Sequence, residues 1–205
     1  MCGDNGCNVS MDSDNGCNVL IVGVGGQGTL LASKVIGQLA ARRGFDVKVS
    51  EVHGMSQRGG SVVTYVRYAD KVASPLIEPG GADVVIAFEL LEAARWLDYL
   101  KPTGKVAANV QKIDPMPVIS GAARYPEGLV ETLLAHSPDA VVVDALSLAQ
   151  ECGSVRAVNF ILLGAASKFM GFSKEEWLAC INDVTPKHAL GVNLKAFEAG
   201  AALSA

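Results

Sequence analysis

The sequence lacks several features that mark common protein classes. Aromatic residues are only 6%, and the charges nearly cancel: 17 Lys plus Arg against 21 Asp plus Glu, a net charge of -4. Without a basic excess the chain does not read as a dedicated nucleic-acid binder. Its longest apolar runs, around Ala140–Val143 and Phe160–Ala166, fall far short of the ~18 residues of a membrane span. The N-terminus is polar and acidic, unlike a secretory leader, so a cytoplasmic location and no membrane contact are expected. The five cysteines, Cys2, Cys7, Cys17, Cys152 and Cys180, form no C-x-x-C pair and no ferredoxin-type run. Reduced thiols and no metal site are therefore expected, Cys2 and Cys7 alone being too few. There is no G-x-S-x-G elbow, and no Ser-His-Asp order stands out.

What is present is a chain of 205 residues, half of them hydrophobic, with a mean hydropathy of +0.30. That length suits one domain with a sizeable core. Glycine is enriched, 22 of 205 residues against a usual share of about 7%. Residues 4–9 and 14–19 share the hexapeptide Asp-Asn-Gly-Cys-Asn-Val. Only the second copy leads into an apolar strand, so residues 1–17 read as a duplicated, poorly ordered extension and 18–205 as a single domain.

The apolar pattern alternates between strand and helix periods. Strands are predicted at 18–23, 46–52, 61–68, 83–88, 105–110 and 140–145, with 71–74 as a hairpin partner of 61–68. Helices are predicted at 29–43, 90–100, 127–136, 155–170, 173–182 and 190–203. The expected fold is α/β and Rossmann-like: a mostly parallel sheet with one hairpin and helices on both faces, in three α/β/α layers.

Two glycine-rich segments follow the first two strands. Gly23-Val-Gly25-Gly26-Gln27-Gly28 satisfies G-x-G-x-x-G between a strand and a helix. Such a loop lets the backbone turn tightly and aims helix N–H groups at an anion. Glu51 ends the second strand, where a ribose-binding acid would sit in a dinucleotide site. An independent NAD- or FAD-binding protein is thus one reading of this loop. The second segment, His53-Gly-Met-Ser56-Gln57-Arg58-Gly59-Gly60, has no role in that scheme. Both segments follow strand ends, so both are expected at the carboxyl edge of the sheet as one composite surface. Trp96, Tyr99 and Trp177 fall at helical positions and serve either the core or a partner interface.

The order and spacing of these segments resemble the gamma-type module of 2-oxoacid:ferredoxin oxidoreductases. The nearest branch is the beta subunit of indolepyruvate:ferredoxin oxidoreductases. Supporting stretches are Ser74-Pro-Leu-Ile77, Ala82–Glu89, Asn159–Gly164, Pro186-Lys187 and the Asn193/Ala196/Phe197/Gly200 pattern, so the likeness runs from about residue 18 to 202. The resemblance implies a subunit, inactive alone, of an enzyme that converts an arylpyruvate and coenzyme A to an aryl-acetyl-CoA and carbon dioxide while reducing ferredoxin. It also implies that thiamine diphosphate, Mg and 4Fe-4S clusters belong to a large partner subunit. This chain lacks a Gly-Asp-Gly followed by a distant Asn-Asn. The residues expected to meet coenzyme A phosphate, or the partner's active site, are Gly23, Gly25, Gly26, Gln27, Gly28, Ser56, Gln57, Arg58, Gly59 and Gly60. His53 is a proton-shuttle candidate or simply a turn residue. A purely structural assembly module is the remaining alternative.

Overall fold

The computed structural model describes residues 16–54 and 59–203. The strands are β1 (Cys17–Val24), β2 (Asp46–His53), β3 (Ser61–Ala69), β4 (Ala82–Ala87), β5 (Leu100–Asn109) and β6 (Val141–Val143). They form one sheet in the order β2-β3-β1-β4-β5-β6. β1, β4, β5 and β6 are parallel, and β3 runs antiparallel to both β1 and β2. Five strands therefore share one direction, and their carboxyl ends define one edge.

Helices cover both faces, as expected for three layers. On one face lie α1 (Thr29–Arg42), α5 (Ala145–Cys152), α6 (Val158–Ser167), α7 (Lys174–Val184) and α8 (Lys187–Ala202). On the other lie α2 (Leu90–Arg95) and α4 (Leu129–His136), while α3 (Met116–Ile119) is a single exposed turn. The β1 pleat divides the core in two: Val19 and Ile21 face α1 and α6, and Leu20 and Val22 face α2. Trp177 is 1% exposed and packs edge-on to Phe172 and against Phe197, so it belongs to the core and not to an interface. No described helix is long and apolar enough to cross a membrane.

The sheet is mixed, but its antiparallel hairpin is β2–β3, not 61–68 with 71–74. The outer edge of β3 is already taken by β2. The 71–74 segment is instead held by side chains: Asp46 accepts from the Val72 amide (2.9 Å), and Arg67 donates to the carbonyls of Ser74 and Leu76. The predicted helix 90–100 stops at Arg95, a 3-10 turn covers Leu97–Tyr99, and β5 begins at Leu100. The predicted helix 155–170 is α6 alone, entered through a 3-10 turn at Val155–Ala157. The helix α5 before it is capped by Asp144, whose carboxylate accepts from the Ser147 amide, and is ended by Gly153 at φ 115°.

α7 starts in a capping box of Ser173 and Glu176. Arg43, at the end of α1, grips Glu176 with two 2.6 Å hydrogen bonds and stacks over Phe172. This guanidinium holds the Glu176 carboxyl down at about 2. A depressed carboxylate pKa stabilises the fold above the unfolded value near 4.3, and the contribution is lost as pH falls toward 2. Glu176→Gln keeps the cap but not the charge. It should lower the melting temperature at pH 7 by about 2–4 °C, equivalent to roughly 1 kcal/mol after solvent screening. That gap should close between pH 4.5 and 2, which thermal scans of both proteins across this range would show.

Candidate functional site

Pairing of β1 with β3 sets Val24 opposite Ser61, and pairing of β2 with β3 sets His53 opposite Val62. The two glycine segments therefore meet at the carboxyl edge of the sheet, and the Gly25 amide donates to the Gly60 carbonyl at 2.9 Å. Gly26 (φ 102°) and Gly28 (φ 90°) both occupy the left-handed region that glycine tolerates. Gly28 caps α1, with no side chain closing the helix end. Among the described residues, the amides of Gly26, Gly28, Thr29 and Leu30 have no acceptor. A side chain at Gly26 would meet nothing within 4 Å, so the loop is open to solvent there. Leu30, in the first turn of α1, is 64% exposed beside it.

Gln27 and Gly23 serve the fold rather than this open surface. Gln27 turns inward. Its Oε1 accepts from the Val24 amide (2.7 Å), and its Nε2 donates to the Phe88 carbonyl (3.0 Å) and to Gln111 Oε1 (3.2 Å). A Cβ on Gly23 would lie 2.8 Å from Gln27 Oε1 and 2.9 Å from Phe88 Cβ, so glycine there makes room for the turned-in amide. Asn109 completes the brace: its Nδ2 reaches the Phe88 carbonyl and its Oδ1 accepts from the Ala145 amide at the head of α5. β1, β4, β5 and α5 are thus tied together directly beneath the loops.

A second polar cluster stands alongside. Glu89, 1% exposed, caps α2 by accepting from the Glu92 amide and also accepts from the Ile113 amide and the Tyr125 hydroxyl (2.5 Å). Burial, and then the Glu89 carboxylate, push the Tyr125 hydroxyl well above its ordinary range. Glu92, 3% exposed, accepts from Ser61 Oγ and from Arg95, both at 2.6 Å. The start of β3, and with it Gly60, is thereby anchored to α2. These carboxylates are fully engaged.

The structure brings together Gly25, Gly26, Gly28, Gly59 and Gly60. Ser56, Gln57 and Arg58 lie outside the described residues. His53 ends β2 exposed to solvent, its Nδ1 3.1 Å from the adjacent Gly54 carbonyl. Glu51 accepts from Thr64 (3.2 Å) on the edge strand β2. Because β3 intervenes between β2 and β1, Glu51 stands two strand spacings, about 10 Å, from the first glycine loop. The ribose contact of a dinucleotide site requires β2 beside β1, so this sheet order does not support it. Trp96 and Tyr99 are half-buried and pack on each other, with Trp96 edge-on to Tyr65. Asn109, Glu89 and Glu92 carried no motif in the sequence.

The described residues do not suit a metal or an iron–sulfur cluster. No three His, Cys, Asp or Glu side chains converge among them. Cys152 and Cys180 are buried on different helices, and burial pushes the Cys17 thiol up to about 12, far from a ligating thiolate.

Residues 18–203 match the family model described as pyruvate ferredoxin/flavodoxin oxidoreductase. The indolepyruvate oxidoreductase subunit IorB of Thermococcus kodakarensis is 42% identical over 187 residues, 88% of this chain and 92% of that protein. The gamma subunit of a keto/oxoacid ferredoxin oxidoreductase from Geobacter sulfurreducens has the same fold, with a TM-score of 0.67 at 20% identity over 92% of this chain and 98% of that one. In a 2-oxoglutarate:ferredoxin oxidoreductase from Magnetococcus marinus, solved with coenzyme A, the fold recurs as part of a longer chain: TM-score 0.65, 23% identity, 93% of this chain and 31% of that one. With its sheet order, its paired glycine loops and a family match spanning nearly all of its described residues, the chain belongs to the pyruvate ferredoxin/flavodoxin oxidoreductase family.

Proposed function

We propose that this chain, acting through the single domain of residues 18–205, is the small subunit of a cytoplasmic indolepyruvate:ferredoxin oxidoreductase and receives a phosphate of coenzyme A at the carboxyl edge of its sheet. The overall reaction releases the oxoacid carboxyl as carbon dioxide, passes two electrons to ferredoxin and joins the remaining acyl group to the coenzyme A thiol. Thiamine diphosphate with Mg, which stabilises the carbanion, and the 4Fe-4S clusters, which carry electrons, are assigned to the larger subunit: the sequence has no Gly-Asp-Gly followed by a distant Asn-Asn, and no three His, Cys, Asp or Glu side chains converge among the described residues. What this chain contributes is binding and positioning. The observation that carries the reading is the joined pair of glycine loops, which leaves four amides without acceptors at the head of a 14-residue helix. Such a surface offers donors and partial positive charge, which suits a phosphate. Arg58, in the adjoining segment, is the side chain assigned to pair with that phosphate. The exposed Leu30 favours closure of the same surface against the partner subunit.

The test is a matched pair of variants in the assembled enzyme. Asn and Asp both tolerate positive φ, so Gly26→Asn and Gly26→Asp differ chiefly in charge. The Asp variant should raise the KM for coenzyme A about tenfold or more above the Asn variant, through repulsion of phosphate, and leave the KM for indolepyruvate unchanged. Equal values for coenzyme A in the two variants would exclude phosphate from this loop.

A further inference from the structure

Residues 114–124 leave the sheet edge after β5 and return to it before α4. One buried carboxylate closes the neck of this loop. Glu89 Oε1 accepts from the Ile113 amide (3.1 Å) on one side and from the Tyr125 hydroxyl (2.5 Å) on the other. Lys112 lies over the Tyr125 ring, 5.6 Å from its centre, as a second strap across the neck. Inside the loop, the amides of Val118, Ser120 and Ala123 donate to the carbonyls of Pro115, Met116 and Pro117. The two prolines stiffen it further. The loop is therefore folded, yet none of its residues is buried. Only Asp114 and Arg124 in it are charged. Met116 and Ile119, 69% and 67% exposed, are the most exposed large apolar side chains among the described residues. Three residues apart in α3, they form one ridge. Burial within the chain does not account for this ridge, and compact surface loops with joined ends are frequently functional.

We infer that the 114–124 loop is a docking anchor for the larger subunit, with Met116 and Ile119 seated in an apolar cleft of that partner. This rests on the reading of the chain as a small subunit. Two observations select the occupant. The root of the loop belongs to the brace beneath the first glycine loop: Gln111 Oε1 accepts from Gln27 Nε2 (3.2 Å), and the Gln111 carbonyl accepts from the Leu90 amide. The ridge thus continues the surface of exposed Leu30 that the larger subunit is assigned to close. The second observation is size. A stable interface buries about 800 Å² on each side, and two side chains supply only a small part of that. Paired ridges alone would not hold two copies of this chain together. The ridge has to act with a wider surface, and the carboxyl edge is the one it adjoins. A loop already folded loses little freedom on docking, which suits an anchor. The flexible Met116 side chain adapts to the shape of a cleft.

Met116→Asp and Ile119→Asp, singly and together, test it in the full chain titrated with the purified larger subunit. The Kd of the pair is read by sedimentation, and ferredoxin reduction is measured with the small chain in excess. Each single variant should weaken the Kd about tenfold or more, and the double variant about a hundredfold or more. The isolated variants should melt as wild type does, because neither side chain is buried. With the small chain saturating, the KM values for indolepyruvate and coenzyme A should return to those of wild type. Leu76→Asp is the control. Leu76 is 54% exposed at the opposite edge, where Arg67 joins its carbonyl to Asn18 at the start of β1. It should leave the Kd unchanged. Wild-type Kd values in the loop variants overturn the inference, as does an equal loss in Leu76→Asp. An unchanged Kd with a raised KM for indolepyruvate overturns it by placing the loop against substrate. Loss of self-association with an unchanged Kd for the larger subunit overturns it in favour of a second copy. In each of these cases the small-subunit reading stands. If the wild-type chain does not bind the larger subunit, that reading falls, and the inference falls with it.

Discussion

Replacing Gly200 by alanine is expected to lower the melting temperature by about 6–12 °C, corresponding to roughly 3 kcal/mol. α6 and α8 cross so closely that a Cβ on Gly200 would stand 2.0 Å from the Ile161 carbonyl oxygen and 2.8 Å from its carbon. Gly164 faces the crossing reciprocally, with its Cβ position 2.1 Å from the Phe197 carbonyl oxygen. The obstacles are backbone atoms, so no side chain can swing aside, and one helix must move by more than an ångström. Alanine's better helix propensity, worth up to ~1 kcal/mol, offsets only part of this. Gly191 is the control. It lies in the same helix with nothing within 4 Å of its Cβ position, so Gly191→Ala should be neutral or mildly stabilising. Thermal unfolding followed by circular dichroism compares the two. Similar losses in both variants would mean that the close crossing is not the cause. The crossing also bears on the first glycine loop, because Asn159 in the first turn of α6 lies 3.4 Å from the Gly28 Cβ position.

The parts of this fold legible in the sequence are those with a clean period and clear stops. β1, α1, β2 and β3 fall within a residue or two of their predicted bounds because glycine or a change of period marks each end. The hairpin forms between β2 and β3 and not between 61–68 and 71–74, because strand pairing is a tertiary choice. Lys71–Ser74 has strand-like residues, but β2 occupies the edge it would need. α6 is buried on nearly every side, so it shows no amphipathic stripe to fix its ends. α5 is not legible because Asp144 and Ala145 continue the predicted strand 140–145, whereas the Asp144 carboxylate starts a helix.

The site divides in the same way. That two glycine loops share an edge follows from strand order along the chain, and the Gly25–Gly60 hydrogen bond bears it out. That Gln27 turns inward does not follow, because a glutamine among glycines carries no sign of where its amide points. The role of Asn109 is hidden for a related reason. A lone asparagine in an apolar run says only that it must find partners, and those of Asn109, at Phe88 and Ala145, are 21 and 36 residues away in sequence.

The second large effect is all-or-none. On the proposed division of labour this chain should show no turnover by itself, because thiamine diphosphate and the clusters are assigned to the larger subunit. The larger subunit by itself should also be inactive or nearly so, because the surface assigned to coenzyme A phosphate is on this chain. Mixing the two should restore activity. The most direct measurement is therefore ferredoxin reduction with indolepyruvate and coenzyme A, by each purified subunit and by the mixture. The account predicts negligible rates for either subunit alone, restoration on mixing, and a higher KM for coenzyme A when the mixture contains Gly26→Asp in place of Gly26→Asn. Turnover by the larger subunit alone with an unaltered KM for coenzyme A would contradict it, as would turnover by this chain without a partner.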